Sequence, residues 1–211
     1  MMNRLTPIAL LMSVCCAAAL SAADKEYYEL RTYQLTSPEK AATFDTMMAW
    51  AIPVLKKAGV SEVGVFKAKR EKDGDPNWRY VLSAAGSLET LAKSRRALTS
   101  ESEFVEKASP YLFHPKDDPA YDRISISTFQ AFDGFPKLIA PAADRGGERF
   151  YELRIYESHT ELKAFLKVAM FYNGELDIFE DAKLRGVFFG SALSGPRLPN
   201  LTYMLVYDDE V

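Results

Sequence analysis

The amino-acid sequence predicts an α+β fold built from two successive, similar units, and three observations support this prediction. Residues 28–33 (YELRTY) recur 123 positions later as residues 151–156 (YELRIY). At the same offset, residues 76–82 (PNWRYVL) recur as residues 199–205 (PNLTYML), and two matches at one spacing are typical of an internal repeat. In both units, residues that alternate with a period of two precede a stretch with helical spacing, which indicates a strand followed by a helix.

The first unit, residues 24–132, is predicted to follow the order strand, helix, strand, strand, helix, strand. Its first strand ends before Ser37 and Pro38, a pair that is typical of a helix N-cap and first turn. This helix is expected to end at Gly59, and Ser87 is expected to cap the second helix. The predicted strands are residues 27–35, 62–69, 78–84 and 121–132.

The second unit, residues 150–211, repeats this order only as far as its third strand. Its first strand, residues 150–157, leads into a predicted capping box that begins at Ser158. The following helix is expected to bury one apolar face. That face consists of Phe165, Ala169, Tyr172, Leu176 and Phe179. The later strands are expected at residues 187–193 and 200–207.

Residues 133–149 contain several prolines and glycines and are predicted to link the two units. Only four residues follow Tyr207, whereas the first unit continues with a helix and a strand. We therefore expect the second unit to be incomplete and the chain to be a fragment or a truncated gene product. The strand edge near Glu152 should then be unpaired beside an exposed apolar surface, and both features favour association with another chain.

The first 23 residues have the pattern of a signal peptide. Arg4 precedes an apolar stretch, residues 7–20, and a small-residue cleavage site ends at Ala23. Export to the periplasm or medium is therefore predicted. Cleavage would remove both cysteines, Cys15 and Cys16, and would leave no transmembrane segment. Acylation of one of these cysteines, as in a lipoprotein, is the alternative interpretation.

The composition is that of a globular protein with no affinity for nucleic acid. Of the 211 residues, 48% are hydrophobic and 26% are charged, and the net charge is -3. Because phosphate binding needs a basic surface, and Lys and Arg are scattered along this chain, nucleic-acid partners are excluded.

Three segments together resemble the NIPSNAP family, in particular its exported bacterial members. They are residues 28–33, residues 187–190 (VFFG) and residues 195–205 (GPRLPNLTYML). The resemblance implies the dimeric α+β barrel superfamily, in which two ferredoxin-like βαββαβ units pack sheet against sheet. The family has no established reaction, so the resemblance supplies no catalytic residues.

Six polar residues on the two repeated strands are the predicted site. They are Glu29, Arg31, Tyr33, Glu152, Arg154 and Tyr156. If helices cover Leu30 and its counterpart Leu153, these residues point between the sheets, where Glu29 would meet Arg154. Arg31 would then meet Glu152. Such a network either fixes the packing of the two units or binds an anion or a phenol in the barrel interior.

Other candidate residues point to structural roles. His159 lies in the predicted capping box and His114 in a connecting segment, and neither has a partner that would orient it for catalysis. Trp50 and Trp78 are expected in the core or the barrel wall. The sequence has no zinc-hydrolase, nucleophile or dinucleotide motif. No cofactor and no metal are therefore expected.

Two functions are consistent with these residues. The first is an exported module that binds a small molecule or a protein partner, with a homodimer as a further expectation. The second is a cofactor-independent enzyme of the monooxygenase or isomerase type, which would act on a small aromatic or polyketide-like substrate inside the barrel. This second hypothesis is based on analogy of fold alone.

Overall fold

A computed structural model of the chain describes residues 24–69, 77–142 and 149–208. The predicted signal peptide and part of the predicted linker lie outside these residues. The strands are β1 (Tyr27–Leu35), β2 (Glu62–Lys67), β3 (Asn77–Ala85), β4 (Tyr121–Ala131), β5 (Phe150–Glu157), β6 (Arg185–Ser194) and β7 (Asn200–Tyr207). The helices are α1 (Pro38–Lys57), α2 (Leu88–Ser100), α3 (Ser102–Lys107), α4 (Ser109–Leu112), α5 (Glu161–Met170) and α6 (Leu176–Asp181).

All seven strands form one antiparallel sheet in the order β2-β3-β1-β4-β6-β7-β5. The first unit contributes the ferredoxin-like order β2-β3-β1-β4, and the second contributes β6-β7-β5. The units join where residues 128–131 of β4 pair with residues 190–194 of β6. The predicted α+β fold is therefore confirmed.

The sheet curls until its two end strands approach each other. Phe66 of β2 and Tyr151 of β5 lie at opposite ends of the strand order, yet their ring centroids are 4.7 Å apart. These strands do not pair through their backbones. Among the described residues, the outer edge of β5 has no strand partner, as the sequence predicted.

The interior of the curled sheet is a packed core shared by both units. Tyr28 of the first unit contacts Phe188 of the second edge to face, with ring centroids 5.2 Å apart, and neither ring is exposed. The buried members of this interior cluster are Tyr28, Leu30, Leu82, Ala84, Phe129, Ala131, Val187, Phe188, Met204 and Val206. Burial of these side chains in one cluster couples the two units.

The predicted orientation of the six polar residues is wrong. Leu30 packs in the interior cluster, whereas Tyr33 packs with α1 in a separate core on the outer face of the sheet. Glu29 and Arg31 share that outer face, because side chains two positions apart lie on one side of a strand. Strand alternation separates two sets of side chains, but it does not decide which set faces the helices.

The expected pairs between the units are also absent from the described residues. Arg31 binds Glu29 of its own strand, and Arg154 likewise binds Glu152. Because each carboxylate lies two residues from its arginine on the same strand face, it is the nearer partner.

The two units differ in strand register, although their sequences align without a gap. In the first unit Tyr80 lies opposite Thr32, and it packs against the interior cluster. In the second unit the matching Tyr203 lies opposite Arg154, and it packs on the outer face. A shift of one residue moves every side chain of a strand to the other face, so Tyr203 joins the polar residues of β5.

Helix α5 begins later and faces differently than predicted. Its N-cap is Thr160, whose side chain accepts a hydrogen bond from the Lys163 amide, so Ser158 is not the cap. Phe171 is 1% exposed, whereas Phe165 is 69% exposed. The helical path is interrupted at Gly174, which has φ 128°.

Three further observations concern the rest of the chain. Trp50 is 42% exposed and lies beneath the Lys107 ammonium, so its predicted core position is wrong. The described part of the linker packs on the sheet, since the Ile139 amide donates to the Val187 carbonyl.

No helix of the described residues is long and apolar enough to cross a membrane.

Candidate functional site

Three of the six predicted site residues meet two further tyrosines on the outer face of β5 and β7. We call Glu152, Arg154, Tyr156, Tyr203 and Tyr207 the Arg154 cluster. Arg154 donates from Nε and Nη2 to the two carboxylate oxygens of Glu152, both at 2.8 Å. Its Nη1 donates to the Tyr203 hydroxyl at 3.1 Å. The Tyr203 and Tyr156 hydroxyls are 2.9 Å apart, and Tyr207 donates to Glu152 at 3.0 Å.

These contacts fix the charge states of the cluster. The hydrogen bonds from Arg154, assisted by the one from Tyr207, lower the pKa of Glu152 below its ordinary value. The hydrogen bonds to Glu152 and Tyr203 raise the pKa of Arg154. Burial raises the pKa of Tyr203, and its contact with Tyr156 adds to this effect. At neutral pH the cluster therefore presents an ion pair beside the neutral phenols of Tyr203 and Tyr207, whose pKa values are both raised.

The first unit carries the matching residues in a closed environment. Arg31 donates from Nε to Glu29 at 2.6 Å and from Nη1 to the Tyr33 hydroxyl at 3.4 Å. Arg95 of α2 approaches the other Glu29 oxygen at 3.3 Å. The Glu29 side chain is 4% exposed.

The second unit leaves its copy of this pattern accessible. The side chain of Glu152 is 45% exposed and that of Arg154 is 34% exposed. Helix α2 supplies the cover in the first unit, whereas among the described residues no helix of the second unit occupies the corresponding place. The same sequence pattern is therefore buried in one unit and accessible in the other.

The barrel interior does not offer the predicted binding space. Its central side chains are at most 5% exposed, and two clefts formed by described residues both lie outside it. One cleft lies between β6, α6 and the start of the linker, and has an aromatic floor. The other is polar and lies beside the N-terminus of α1.

Three of the charged or titratable groups that line the polar cleft, Lys40, His114 and Asp118, contact one another. Lys40 forms an ion pair with Asp118 and donates to the Pro119 carbonyl at 2.7 Å. His114 Nδ1 lies 3.1 Å from the Asp118 carbonyl, which is consistent with the predicted structural role of this histidine. No group of three or more metal-ligating side chains occurs in the described parts of the chain.

Sequence reasoning did not find Tyr203 and Tyr207 as members of the site. Tyr203 belongs to the repeat, where it aligns with Tyr80, and Tyr207 follows two residues after the repeated segment ends. The alternation within β7 could have placed them on one face. The register that sets this face opposite Arg154 is a property of the folded sheet.

Comparison with solved structures confirms the fold. A Fusobacterium nucleatum protein named "putative monooxygenase" matches with a TM-score of 0.57 and 9% identity, covering 88% of this chain and 76% of that one. An anthrone oxidase-like protein matches with a TM-score of 0.52 and 14% identity, covering 90% and 76%. Both likenesses establish a shared α+β barrel architecture.

NIPSNAP proteins are also among the structural neighbours. A NIPSNAP family protein of unknown function from Agrobacterium tumefaciens is 20% identical over 51% of this chain and 89% of its own, with a TM-score of 0.37. The family named from the sequence is thus represented among the similar structures. No protein-family model and no curated protein sequence matches this chain.

Proposed function

We propose that this protein is a ligand-binding module whose Arg154 cluster recognises a small organic anion. The observation that supports the proposal is the contrast between the two units. The Glu29 side chain is 4% exposed and that of Arg31 is 21% exposed, whereas those of Glu152 and Arg154 are 45% and 34% exposed. A structural role explains the buried copy, but the accessible copy can also contact a ligand.

The hydrogen-bonding capacity of Arg154 supports an anionic ligand. Among the described residues, three of its guanidinium donors are used, one each from Nε, Nη1 and Nη2. A guanidinium has five such donors, so one N–H remains on each terminal nitrogen. These donors suit a carboxylate, which arginine binds in a planar, charge-assisted geometry.

The surroundings favour a carboxylate that carries an apolar or aromatic body. The Lys167 ammonium lies 5.6 Å from the centre of the Tyr156 ring, so Arg154 and Lys167 together outweigh the charge of Glu152. The rings of Tyr156 and Tyr203 are 5.4 Å apart and nearly perpendicular. Tyr203 is fully buried, so the half-buried ring of Tyr156 provides the apolar surface beside the hydroxyl groups, a combination typical of sites for small aromatic ligands.

An enzyme that works inside the barrel receives less support. The neighbours named as a monooxygenase and an anthrone oxidase-like protein motivate that alternative. In this chain, however, Tyr28 and Phe188 fill the centre of the interior. A substrate there would have to displace packed aromatic side chains.

The test is a titration with 4-hydroxybenzoate, a soluble aromatic carboxylate, followed by NMR. Arg154→Lys keeps the charge but loses the planar fork, and we expect it to weaken binding about tenfold. The matched control is Arg31→Lys in the sealed copy, which should leave the affinity within about twofold of the original. Failure of 4-hydroxybenzoate to bind, or equal weakening by both variants, would contradict the proposal.

A second candidate function, binding of a protein partner, is favoured by the outer face of α5. Four apolar side chains there are exposed by 45–69%, namely Leu162, Phe165, Leu166 and Met170. Contiguous apolar surface of this kind marks interaction sites. A homodimer formed through this face is our proposal for that role.

Export remains a proposal based on residues 1–23. The charged start, apolar stretch and small-residue site that precede residue 24 support it. N-terminal sequencing of the protein after expression in a Gram-negative host is the test. A periplasmic protein that begins at Asp24 would agree with the proposal, whereas retention of Met1 would contradict it.

A further inference from the structure

The aromatic cleft of the second unit has the chemistry of a site for an organic cation. It lies between β6, α6 and the residues that follow β4. It adjoins the Arg154 cluster, because the ring of Phe189 stacks on that of Tyr203 with centroids 5.1 Å apart, but no residue of that cluster lines the cleft. Its volume is about 530 Å³, within the range of pockets that hold small organic ligands. Its lining residues are Asp133, Gly134, Phe135, Phe171, Tyr172, Leu176, Asp177, Phe179, Glu180, Leu184, Gly186 and Phe189.

The floor of the cleft is built from closely spaced phenylalanine rings. Phe189 is central, with the ring of Phe135 at 4.9 Å and those of Phe171 and Phe179 both at 5.9 Å. Phe189 and Phe171 are each 1% exposed, so the ring surface open to a ligand is that of the half-buried Phe135 and Phe179. Gly186 permits this arrangement, since a Cβ there would lie 2.4 Å from the Phe189 ring. Aromatic faces carry partial negative charge and attract cations.

The rim adds acidic groups and no basic ones. Among the described residues that line the cleft none is Lys, Arg or His. Asp133 is already paired with Lys25 at 2.7 Å. Asp177 and Glu180, three positions apart on α6, have no ion pair within the described chain, and they lie where they can neutralise a ligand cation.

We propose that this cleft binds an organic ammonium ion with an apolar body, such as a quaternary ammonium compound. The apolar part would contact the phenylalanine floor. The positive charge would lie between the ring faces and the carboxylates of Asp177 and Glu180. Anions are disfavoured because both the rim and the ring faces repel negative charge.

The test compares choline with 3,3-dimethyl-1-butanol, which has the same shape but no charge. Both are titrated into the full chain and followed by NMR. We expect choline to bind about tenfold more tightly, because only the charged compound gains from the rings and carboxylates. Equal binding of the two compounds, or no binding of choline, would overturn the proposal.

Variants of α6 localise the effect. Asp177→Asn combined with Glu180→Gln should weaken choline binding about tenfold and leave the alcohol unchanged. Asp181→Asn is the matched control, because Asp181 lies on the same helix but does not line the cleft. An equal loss in the control would show a general charge effect and contradict a specific site. Arg154→Lys should not alter choline binding, so this proposal and the proposed function can fail separately.

Discussion

At the scale of single residues, the environment decides the role of the repeated Glu-x-Arg-x-Tyr pattern. Arg31 is held beside a carboxylate that is 4% exposed, and Arg154 beside one that is 45% exposed. Tyr33 and Glu29 raise the pKa of Arg31 even though burial acts in the opposite direction. The buried pair is therefore a fixed part of the core, whereas the accessible pair can exchange contacts with a ligand.

The pairing within β5 can be measured by a double-mutant cycle. Glu152→Gln and Arg154→Met should show a coupling of about 0.5–1 kcal/mol in the free energy of unfolding, since the pair is half-exposed. Chemical denaturation of the single and double variants provides the measurement. Glu29→Gln with Arg154→Met serves as the control and should be additive within about 0.5 kcal/mol. Coupling in the control would show that the two units do pair these charges.

Glu152 should also make stability depend on pH in acid. Its pKa is lower in the folded protein than its ordinary value of 4.5. The resulting stabilisation is present above pH 4.5 and is lost as the pH falls through the lower, folded value. The difference in unfolding free energy between the original protein and Glu152→Gln should therefore shrink between about pH 6 and pH 3. A difference that is constant over this range would show that the Arg154 contact does not stabilise the charged form.

At the scale of elements, α5 has apolar side chains on two faces, and only one face is covered. Val168, and Phe171 directly after the helix, pack on the sheet, whereas Leu162 and Phe165 are exposed. Periodicity alone favoured a stripe through Phe165 because apolar residues occur on both sides of the helix. The helix is interrupted at Gly174, so the predicted stripe does not continue along one helix face from Tyr172 to Leu176.

Two matched substitutions in this region should differ strongly in stability. Phe171→Ala should lower the free energy of unfolding by about 3–5 kcal/mol, because it leaves a cavity among packed rings. Phe165→Ala should change it by no more than about 0.5 kcal/mol, because that ring is exposed. Chemical denaturation measures both. Similar losses would mean that the face through Phe165 is covered in solution.

The exposed face of α5 also predicts an oligomeric state. If a second copy covers this face, sedimentation equilibrium should show a dimer. Phe165→Ser should shift the protein towards the monomer, since it removes apolar area from the contact. Lys163→Ser, on the same helix, is the control. A monomer at all concentrations would rule out this face as the homodimer interface.

At the scale of the whole molecule, the interior cluster makes the two units interdependent. Tyr28, Leu30 and Phe129 come from the first unit, and Phe188 and Met204 from the second. The β4–β6 pairing adds backbone hydrogen bonds at the same join. Neither unit can keep its interior face buried without the other, so we expect them to unfold together.

The distribution of tryptophan allows a direct test of this coupling. Both tryptophans, Trp50 and Trp78, belong to the first unit. Phe188→Ala, a change in the second unit, should destabilise the protein by about 3–5 kcal/mol. Tryptophan fluorescence and far-UV circular dichroism should then shift to the same lower midpoint. Separate midpoints would show that the units unfold independently.

The sequence by itself determined the local elements and their order. The repeat predicted that β5 is the counterpart of β1 and that β7 is the counterpart of β3. Both the alternation within a strand and the spacing between the two copies can be read directly from the sequence. Ser37 is the N-cap of α1, as the sequence predicted, because its side chain accepts a hydrogen bond from the Lys40 amide. The sequence also identified Glu152, Arg154 and Tyr156 as residues that lie on one face of a strand.

Only the tertiary structure decided which face that is and which residues meet there. Side chains along a strand alternate between the two faces of the sheet, and this pattern does not say which face is which. Leu30 could therefore lie inside the barrel or beneath the helices with the same sequence pattern. Register is equally undetermined, and a shift of one residue places Tyr203 beside Arg154 while the matching Tyr80 packs in the interior. These choices depend on how the two units fill their shared interior, which is a packing property of many distant residues together.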